Sequence, residues 1–218
     1  MEKFIIFLPL FAAIISGFFG KIIGNRASQI TTSLFVSVSA LLSIYVFYDV
    51  ISTGYSNNIL IAKWINSGLL EVNWSIKIDQ LSAVMLVVVT LVSAIVHIYS
   101  IGYMSHDPHQ PRFMSYLSLF TFSMLVLVTS DNFLQLFFGW EGVGLCSYFL
   151  IGFWFKKSTA NAAAIKAFIV NRVGDFGFAI GIFLIFMFFG TVNYQEVFQL
   201  IPEYSNKEIG FLGVDANL

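Results

Sequence analysis

The sequence predicts an all-α integral membrane protein, a polytopic bundle of about six transmembrane helices. Apolar residues make up 58% of the 218 residues and charged residues only 11%, whereas soluble globular domains carry about 25% charged residues. Such a chain has too little polar material to cover a surface that faces water. Its apolar residues also fall into runs of the ~20 residues that a helix needs to cross a bilayer.

Six such runs follow one another along the chain, and we interpret them as one transmembrane region. The first run is too long for a signal peptide, contains Pro9 early, and is not followed by a small-residue cleavage site, so it is predicted to remain as a span. The predicted spans cover residues 4–23, 31–51, 81–101, 113–130, 132–155 and 162–190.

The segments between the spans carry the polar sequence. The link 52–80 is long, and its "WSIKIDQLSA" alternates weakly, which indicates a short extramembrane strand or hairpin. Spans four and five are joined only by Ser130 and Asp131, so they are predicted to be antiparallel neighbours, with Asp131 capping span five. Lysines and arginines concentrate in the compact loops opposite the two termini, which places both termini outside.

Several classes of function are excluded by what the sequence lacks. It has one cysteine and three histidines in no metal-binding spacing, and no glycine-rich nucleotide loop. The net charge of −1 argues against a nucleic-acid partner. We therefore expect no metal, redox cofactor or nucleotide in this chain.

Four ionisable residues inside the predicted spans are the candidate functional residues. Glu141 lies in the apolar run "FFGWEGVGLCSYFLIGFW" of span five, and "AAAIKAFIVNRVGDFGFAIGIF" of span six contains Lys166, Arg172 and Asp175. Charges at this depth are costly and usually mark a functional pathway. They are candidates for a proton relay or for coupling to it.

Depth along the helices places the two carboxylates together. At 1.5 Å per residue, Glu141 lies ~12 Å from the outer end of span five and Asp175 ~19 Å from the inner end of span six, in a core ~30 Å thick. Glu141 has no cation one turn away, so its partner is Arg172 or a lysine on a further span. Arg172 is also one turn from Asp175 and could form an ordinary ion pair with it. Lys166 lies on the opposite face and could extend to the inner interface.

Other residues in the spans are predicted to have structural roles. His97 is expected to be a hydrogen-bonded residue at a helix interface and Cys146 a small packed residue. Gly139, Gly142 and Gly144 would let a neighbouring helix approach closely and leave room for water beside Glu141.

The two long motifs around these charges resemble a known family. "GWEGVGLCSYFLIGFW" and "AAAIKAFIVNRVGDFGFAIGIF" are similar to the antiporter-like subunit L of bacterial NADH:quinone oxidoreductase, which is equivalent to chain 5 of mitochondrial complex I. "LPLFAAIISG" and "FGTVNYQEVF" also fit the N-terminal region of that family, so the resemblance covers the whole chain.

The resemblance implies a proton-translocating membrane-arm subunit of an enzyme complex, in the inner membrane of a bacterium or a mitochondrion. The family fold contains two inverted five-helix repeats. Its NADH, FMN, iron–sulfur clusters and quinone belong to other subunits, and a neighbouring antiporter-like subunit is the expected partner. Glu141 matches the family glutamate, which pairs with a lysine on span seven. Arg172 and Asp175 match a charged pair linked to coupling between subunits.

Two alternatives remain open at this stage. Multisubunit cation/proton antiporters share the same core, so a role in such an antiporter is the second hypothesis. The family chains are several hundred residues longer, and this one stops at "GFLGVDANL", where span seven should begin. We therefore expect an N-terminal piece of a longer subunit, and a non-pumping structural fragment is the third hypothesis.

Overall fold

A computed structural model describes residues 1–204, 208–211 and 214–217 of the chain. Five of its helices are long and apolar enough to cross a membrane, which confirms the predicted helical membrane fold. In chain order the elements are α1 (Glu2–Thr53), β1 (Asn57–Ser67), β2 (Leu70–Ile78), α2 (Gln80–Tyr103), α3 (Gln110–Val128), α4 (Phe133–Ile151), α5 (Ser158–Phe189), α6 (Tyr194–Tyr204), β3 (Glu208–Phe211) and β4 (Val214–Asn217).

Helix α1 consists of two antiparallel arms, residues 2–23 and 25–53, that turn at Gly24. The backbone of Gly24, with φ of 82° and ψ of 169°, lies outside the helical region. A positive φ costs glycine little because it has no Cβ. A straight helix of this length would extend about 78 Å, yet the Tyr55 hydroxyl lies 3.5 Å from the Glu2 carboxylate. The two arms and the four other long helices make six crossing segments. The second arm begins earlier than predicted because a single residue makes the turn.

The segment between the second arm and α2 forms the predicted hairpin. Strands β1 and β2 pair antiparallel around Gly68, whose φ is 60°. The hairpin is tied to the start of α4 by Gln135: its Oε1 accepts the Ser75 N–H at 3.0 Å and its Nε2 donates to the Ser75 carbonyl at 2.7 Å. The extramembrane hairpin therefore holds the end of α4 in place.

Asn132, and not Asp131, caps helix α4, so the predicted cap is wrong by one residue. Asn132 has extended dihedrals, and its Oδ1 accepts the Gln135 N–H at 2.8 Å. The buried Asp131 carboxylate accepts instead from Asn58 at 3.1 Å and from Asn132 at 2.5 Å. Only the residue directly before the first helical turn can reach the third N–H of the helix, and Asp131 lies one residue too early.

The helices pack in a layered order that leaves α5 at one side. Helix α3 contacts both α1 and α4, α2 packs on α1 and α3, and α5 packs on α4. The outer side of α5 is exposed along its length. Most of its exposed apolar side chains recur every three or four residues, namely Ile165, Ile169, Val173, Phe176, Ile180, Phe183 and Met187, and Val170 is exposed beside them.

A capping box begins helix α2 outside the apolar segment. Asp79 accepts the Ser82 N–H at 2.8 Å, Ser82 Oγ accepts the Asp79 N–H at 2.7 Å, and Lys77 Nζ lies 3.2 Å from the Asp79 carboxylate. Burial alone would raise the pKa of the Asp79 carboxyl, but the hydrogen bonds from Ser82 and Lys77 outweigh it and lower the pKa below its usual value.

This lowered pKa predicts a pH dependence of stability at acid pH. Because the folded pKa lies below the unfolded one, the stabilisation is present above the unfolded pKa and is lost as pH falls through the folded pKa. We expect the Tm difference between the natural protein and Asp79→Asn to shrink as the pH falls from about 6 to about 3. Thermal unfolding in detergent would measure both Tm values. Asp49→Asn is the control, because the Asp49 carboxylate accepts no hydrogen bond within the described ranges. A Tm difference that does not change with pH would contradict the prediction.

Candidate functional site: a charged cluster between α4 and α5

Helices α4 and α5 pair antiparallel along most of their length. Phe137 contacts Phe178 with ring centroids 5.6 Å apart near one end, and Tyr148 contacts Phe168 at 5.4 Å further along. This register brings the middle of α4, around Glu141, opposite the middle of α5. The candidate charges of the two helices are thereby brought face to face.

Three of the four predicted candidates meet in one cluster. Arg172 Nη1 lies 2.5 Å from Glu141 Oε1, and the Asp175 carboxyl is close enough to interact electrostatically with that of Glu141. Asp175 is only 6% exposed, whereas the side chains of Glu141 and Arg172 are 25% and 51% exposed. The depth argument from sequence placed the two carboxylates at one level, and the structure brings them together.

The ion pair joins the two helices instead of lying within α5. The sequence left Arg172 free to pair with Asp175 or with Glu141, and the structure shows the pair with Glu141. Within the described part of the chain, no ion pair joins Arg172 to Asp175. The guanidinium also lies 4.9 Å from the Phe168 ring centroid, which adds a cation–π contact.

Asp175 is held by a residue that sequence reasoning missed. Trp140 Nε1 donates a hydrogen bond to Asp175 Oδ1 at 2.8 Å. An indole N–H that is removed from water usually finds an acceptor. The tryptophan directly before Glu141 in "GWEG" was the available signal, but only the register of the two helices identifies its partner.

The structure does not bring Lys166 into the cluster. Its side chain is exposed on α5, about two and a half turns before Asp175. Among the residues that the structure describes, none forms an ion pair with it. Its place on the opposite side of the helix agrees with the face predicted from the sequence.

The glycines of α4 face two different neighbouring helices, α3 and α5. A Cβ on Gly139 would lie 2.7 Å from the Leu127 Cα, and one on Gly142 would lie 2.7 Å from the Ser123 Oγ. These two glycines therefore let α3 approach closely. Gly144 faces α5, where a Cβ would meet its nearest atom only at 3.9 Å, so it leaves space beside the cluster.

His97 and Cys146 have the structural roles predicted for them. His97 is fully buried between α2 and α3; its Nδ1 lies 2.8 Å from the Ser93 carbonyl and its Nε2 3.0 Å from the Ser118 hydroxyl. Cys146 is buried beside α3. No group of three or more histidine, cysteine, aspartate or glutamate side chains that could hold a metal occurs in the described segments.

The long apolar helices, with a carboxylate–arginine cluster between two of them, define a multi-pass helical membrane protein. Two solved structures share the fold. One is a chain of the archaeal membrane-bound sulfane sulfur reductase, with TM-score 0.80 and 20% identity over 93% of this chain and 40% of that chain. The other is a chain of the Mrp complex from Dietzia sp. DQ12-45-1b, with TM-score 0.78 and 22% identity over 94% of this chain and 21% of that chain.

Sequence comparison identifies the family. Residues 64–114 match the model of the N-terminus of NADH-ubiquinone oxidoreductase (complex I) chain 5, and residues 130–215 match the transmembrane model of NADH:quinone oxidoreductase and Mrp antiporters. Chain 5 of Chondrus crispus is 53% identical over 98% of this chain, and subunit L of Rickettsia bellii is 52% identical over 94%. The chain belongs to this family of antiporter-like subunits, and it is a multi-pass inner-membrane protein.

The chain spans about a third of the length of these curated relatives, since the matches cover 32% of each. The described residues near its C-terminal end form the short antiparallel pair β3–β4. In this chain the cation beside Glu141 is Arg172.

Proposed function

We propose that this chain is part of a proton-translocating membrane-arm subunit of an NADH:quinone oxidoreductase. The observation that carries the proposal is the cluster between two crossing helices in which Glu141 is paired with Arg172 and lies beside a second carboxylate, that of Asp175. The subunit-L and chain-5 names of the relatives support the assignment to this enzyme. In this proposal the complex is a translocase, and this chain supplies the proton-handling part.

The cluster suits proton transfer because its charges do not balance. One guanidinium can neutralise one of two neighbouring carboxylates. A carboxylate that loses its cation in an apolar medium takes up a proton, and one that regains the cation releases it. Arg172 has a half-exposed side chain at the edge of the cluster, so a charge presented by a neighbouring helix could draw it away from Glu141. Trp140 keeps Asp175 oriented meanwhile.

The partners and cofactors follow from the same proposal. NADH, FMN, the iron–sulfur clusters and quinone are held by other subunits, and no metal is assigned to this chain. The remaining membrane-arm subunits, in particular a neighbouring antiporter-like subunit, surround it in the bilayer. Lys166 lies on the exposed side of α5, and we assign it to coupling with a neighbouring helix instead of to the cluster.

Neutralising Glu141 tests the proposal directly. We expect Glu141→Gln in the full-length subunit to lower the number of protons pumped per NADH oxidised about tenfold or more, because a positioned proton-transfer group contributes roughly 10²-fold to its step. Proton uptake into membrane vesicles and NADH oxidation would be measured in the same preparation. Glu71→Gln makes the same charge change on the exposed hairpin and should leave the ratio unchanged.

The Glu141→Gln measurement distinguishes a proton-transfer role of Glu141 from a purely structural one. An unchanged ratio in a fully assembled Glu141→Gln complex would contradict a proton-transfer role. Loss of assembly with a normal ratio in the complex that remains would support the structural hypothesis instead.

The second candidate function is that of a subunit of a multisubunit cation/proton antiporter. It is favoured by the fold shared with the Mrp complex chain and by the family model whose description includes Mrp antiporters. It requires cation-driven proton exchange in vesicles that receive no NADH. If that exchange is observed and is lost in Glu141→Gln, the antiporter function is correct and the link to NADH is not.

A further inference from the structure

A cavity separate from the charged cluster lies where the ends of α3, α4 and α5 meet. Its volume is about 390 Å³. Arg112 and Tyr116 line it from the first turns of α3, Tyr148 from the last turns of α4, and Asn161 from the start of α5. The cavity is therefore placed at one end of the helical bundle, where the apolar spans give way to the polar loops.

Arg112 is a half-buried cation whose hydrogen bonds are incomplete. Its Nη2 donates to the Phe153 carbonyl at 3.0 Å, and the guanidinium lies 4.7 Å from the Phe153 ring centroid and 5.3 Å from that of Phe155. Its Nε is buried and has no hydrogen-bond partner within the described ranges. A cation withdrawn from water and left with a free donor is costly unless an anion reaches it.

The surroundings of Arg112 favour an anion from outside the described chain. No residue that lines the cavity carries a carboxylate, and Lys156 and Lys157 lie in the adjoining loop. Asp107 is near enough to interact electrostatically with Arg112, but its carboxylate accepts hydrogen bonds from the Trp154 indole N–H at 3.0 Å and from the His109 N–H at 2.7 Å. Within the described part, Arg112 forms no ion pair with Asp107 or with any other carboxylate.

The remaining lining fits the headgroup region of a phospholipid. The hydroxyls of Tyr116 and Tyr148 have no hydrogen-bond partner among the described residues, so they are available as donors to the same anion. Tyrosines gather at the boundary between lipid and water because one end of the ring is apolar and the other polar. Beside the cavity, the exposed Ile165 and Ile169 of α5 offer an apolar surface to an acyl chain.

We propose that this cavity binds the phosphate group of an anionic phospholipid, with Arg112 as its principal donor. Arginine binds phosphate oxygens through charge-assisted hydrogen bonds, and basic pockets between transmembrane helices are suited to acidic headgroups. This lipid site is distinct from the charged cluster and does not depend on the proposed proton translocation.

Lipid binding to the delipidated full-length protein in detergent tests the site. Phosphatidylglycerol would be titrated and the bound molecules counted by native mass spectrometry. We expect Arg112→Gln to require about tenfold more phosphatidylglycerol for the first molecule to bind, because a charge-assisted contact is lost. Lys156→Gln removes a nearby exposed charge that does not line the cavity, and it should shift the titration less than about twofold. Equal binding by the natural protein and Arg112→Gln would overturn the proposal.

Two measurements on the natural protein keep the test independent of folding in the variant. Phosphatidylcholine, which has no net charge, should bind about fivefold or more weakly than phosphatidylglycerol, and equal binding would overturn the assignment to an anionic lipid. Inorganic phosphate at millimolar concentration should not displace the lipid. If it does, the cavity takes a free anion and the lipid proposal is wrong.

Discussion

Replacing Arg172 with glutamine is expected to reduce the amount of assembled protein in the membrane several-fold. The change removes the cation from a cluster in which Glu141 and Asp175 face each other. Two carboxylates left together between helices repel one another, and removal of Arg172 leaves the Glu141 carboxylate without its counter-charge. The amount of monodisperse protein after gentle extraction, measured by size-exclusion chromatography, would report the loss.

A second substitution should restore assembly if the cluster is a unit. In Arg172→Gln/Glu141→Gln the carboxylate that had lost its cation is neutral, while Asp175 keeps its bond from Trp140. We therefore expect the double variant to assemble better than Arg172→Gln alone, which is the non-additivity expected of residues in contact. Arg26→Gln, at an exposed position of α1, is the control for charge. Effects that simply add in the double variant would show that Arg172 and Glu141 are not partners.

Replacing Gly139 with alanine is expected to have the largest effect on stability. The added Cβ would lie 2.7 Å from both the Cα and the backbone N of Leu127, and backbone atoms cannot rotate aside as a side chain can. Helices α3 and α4 would have to separate. Overpacking of this kind costs roughly 1–3 kcal/mol, so a clear fall in Tm is expected by thermal unfolding in detergent.

The matched control is Gly102→Ala near the end of α2. A Cβ there meets nothing within 4 Å in the described part of the chain, and alanine is the better helix former by about 1 kcal/mol. The Tm of this variant should stay the same or rise slightly. A Gly139→Ala variant with an unchanged Tm would mean that α3 can move away from α4 at no cost.

The tight α3–α4 contact also has a consequence for the charged cluster. Gly139 and Gly142 lie on the side of α4 that faces α3, and Glu141 points to α5. A shift of α4 away from α3 would therefore change how Glu141 meets Arg172. We expect Gly139→Ala to weaken the ion pair as well as the packing.

The helical membrane fold could be predicted from the sequence because the bilayer imposes a length. Each crossing segment needs about 20 apolar residues, and a chain with 11% charged residues offers few other solutions. The same regularity, 1.5 Å per residue from a known boundary, predicted that Glu141 and Asp175 lie at one depth. The hairpin after α1 was also foreseen, from its alternating residues.

The sequence by itself thus determined the class of fold, and it predicted which segments cross the membrane and the level of the charges. Only the tertiary structure decided that Arg172 pairs with Glu141, that Trp140 holds Asp175, and that Asn132 instead of Asp131 caps α4. The physical reason is that depth follows from counting residues along one helix. Contact between two helices depends on their rotation and register, and these are set by glycines, rings and hairpin contacts far apart in the chain.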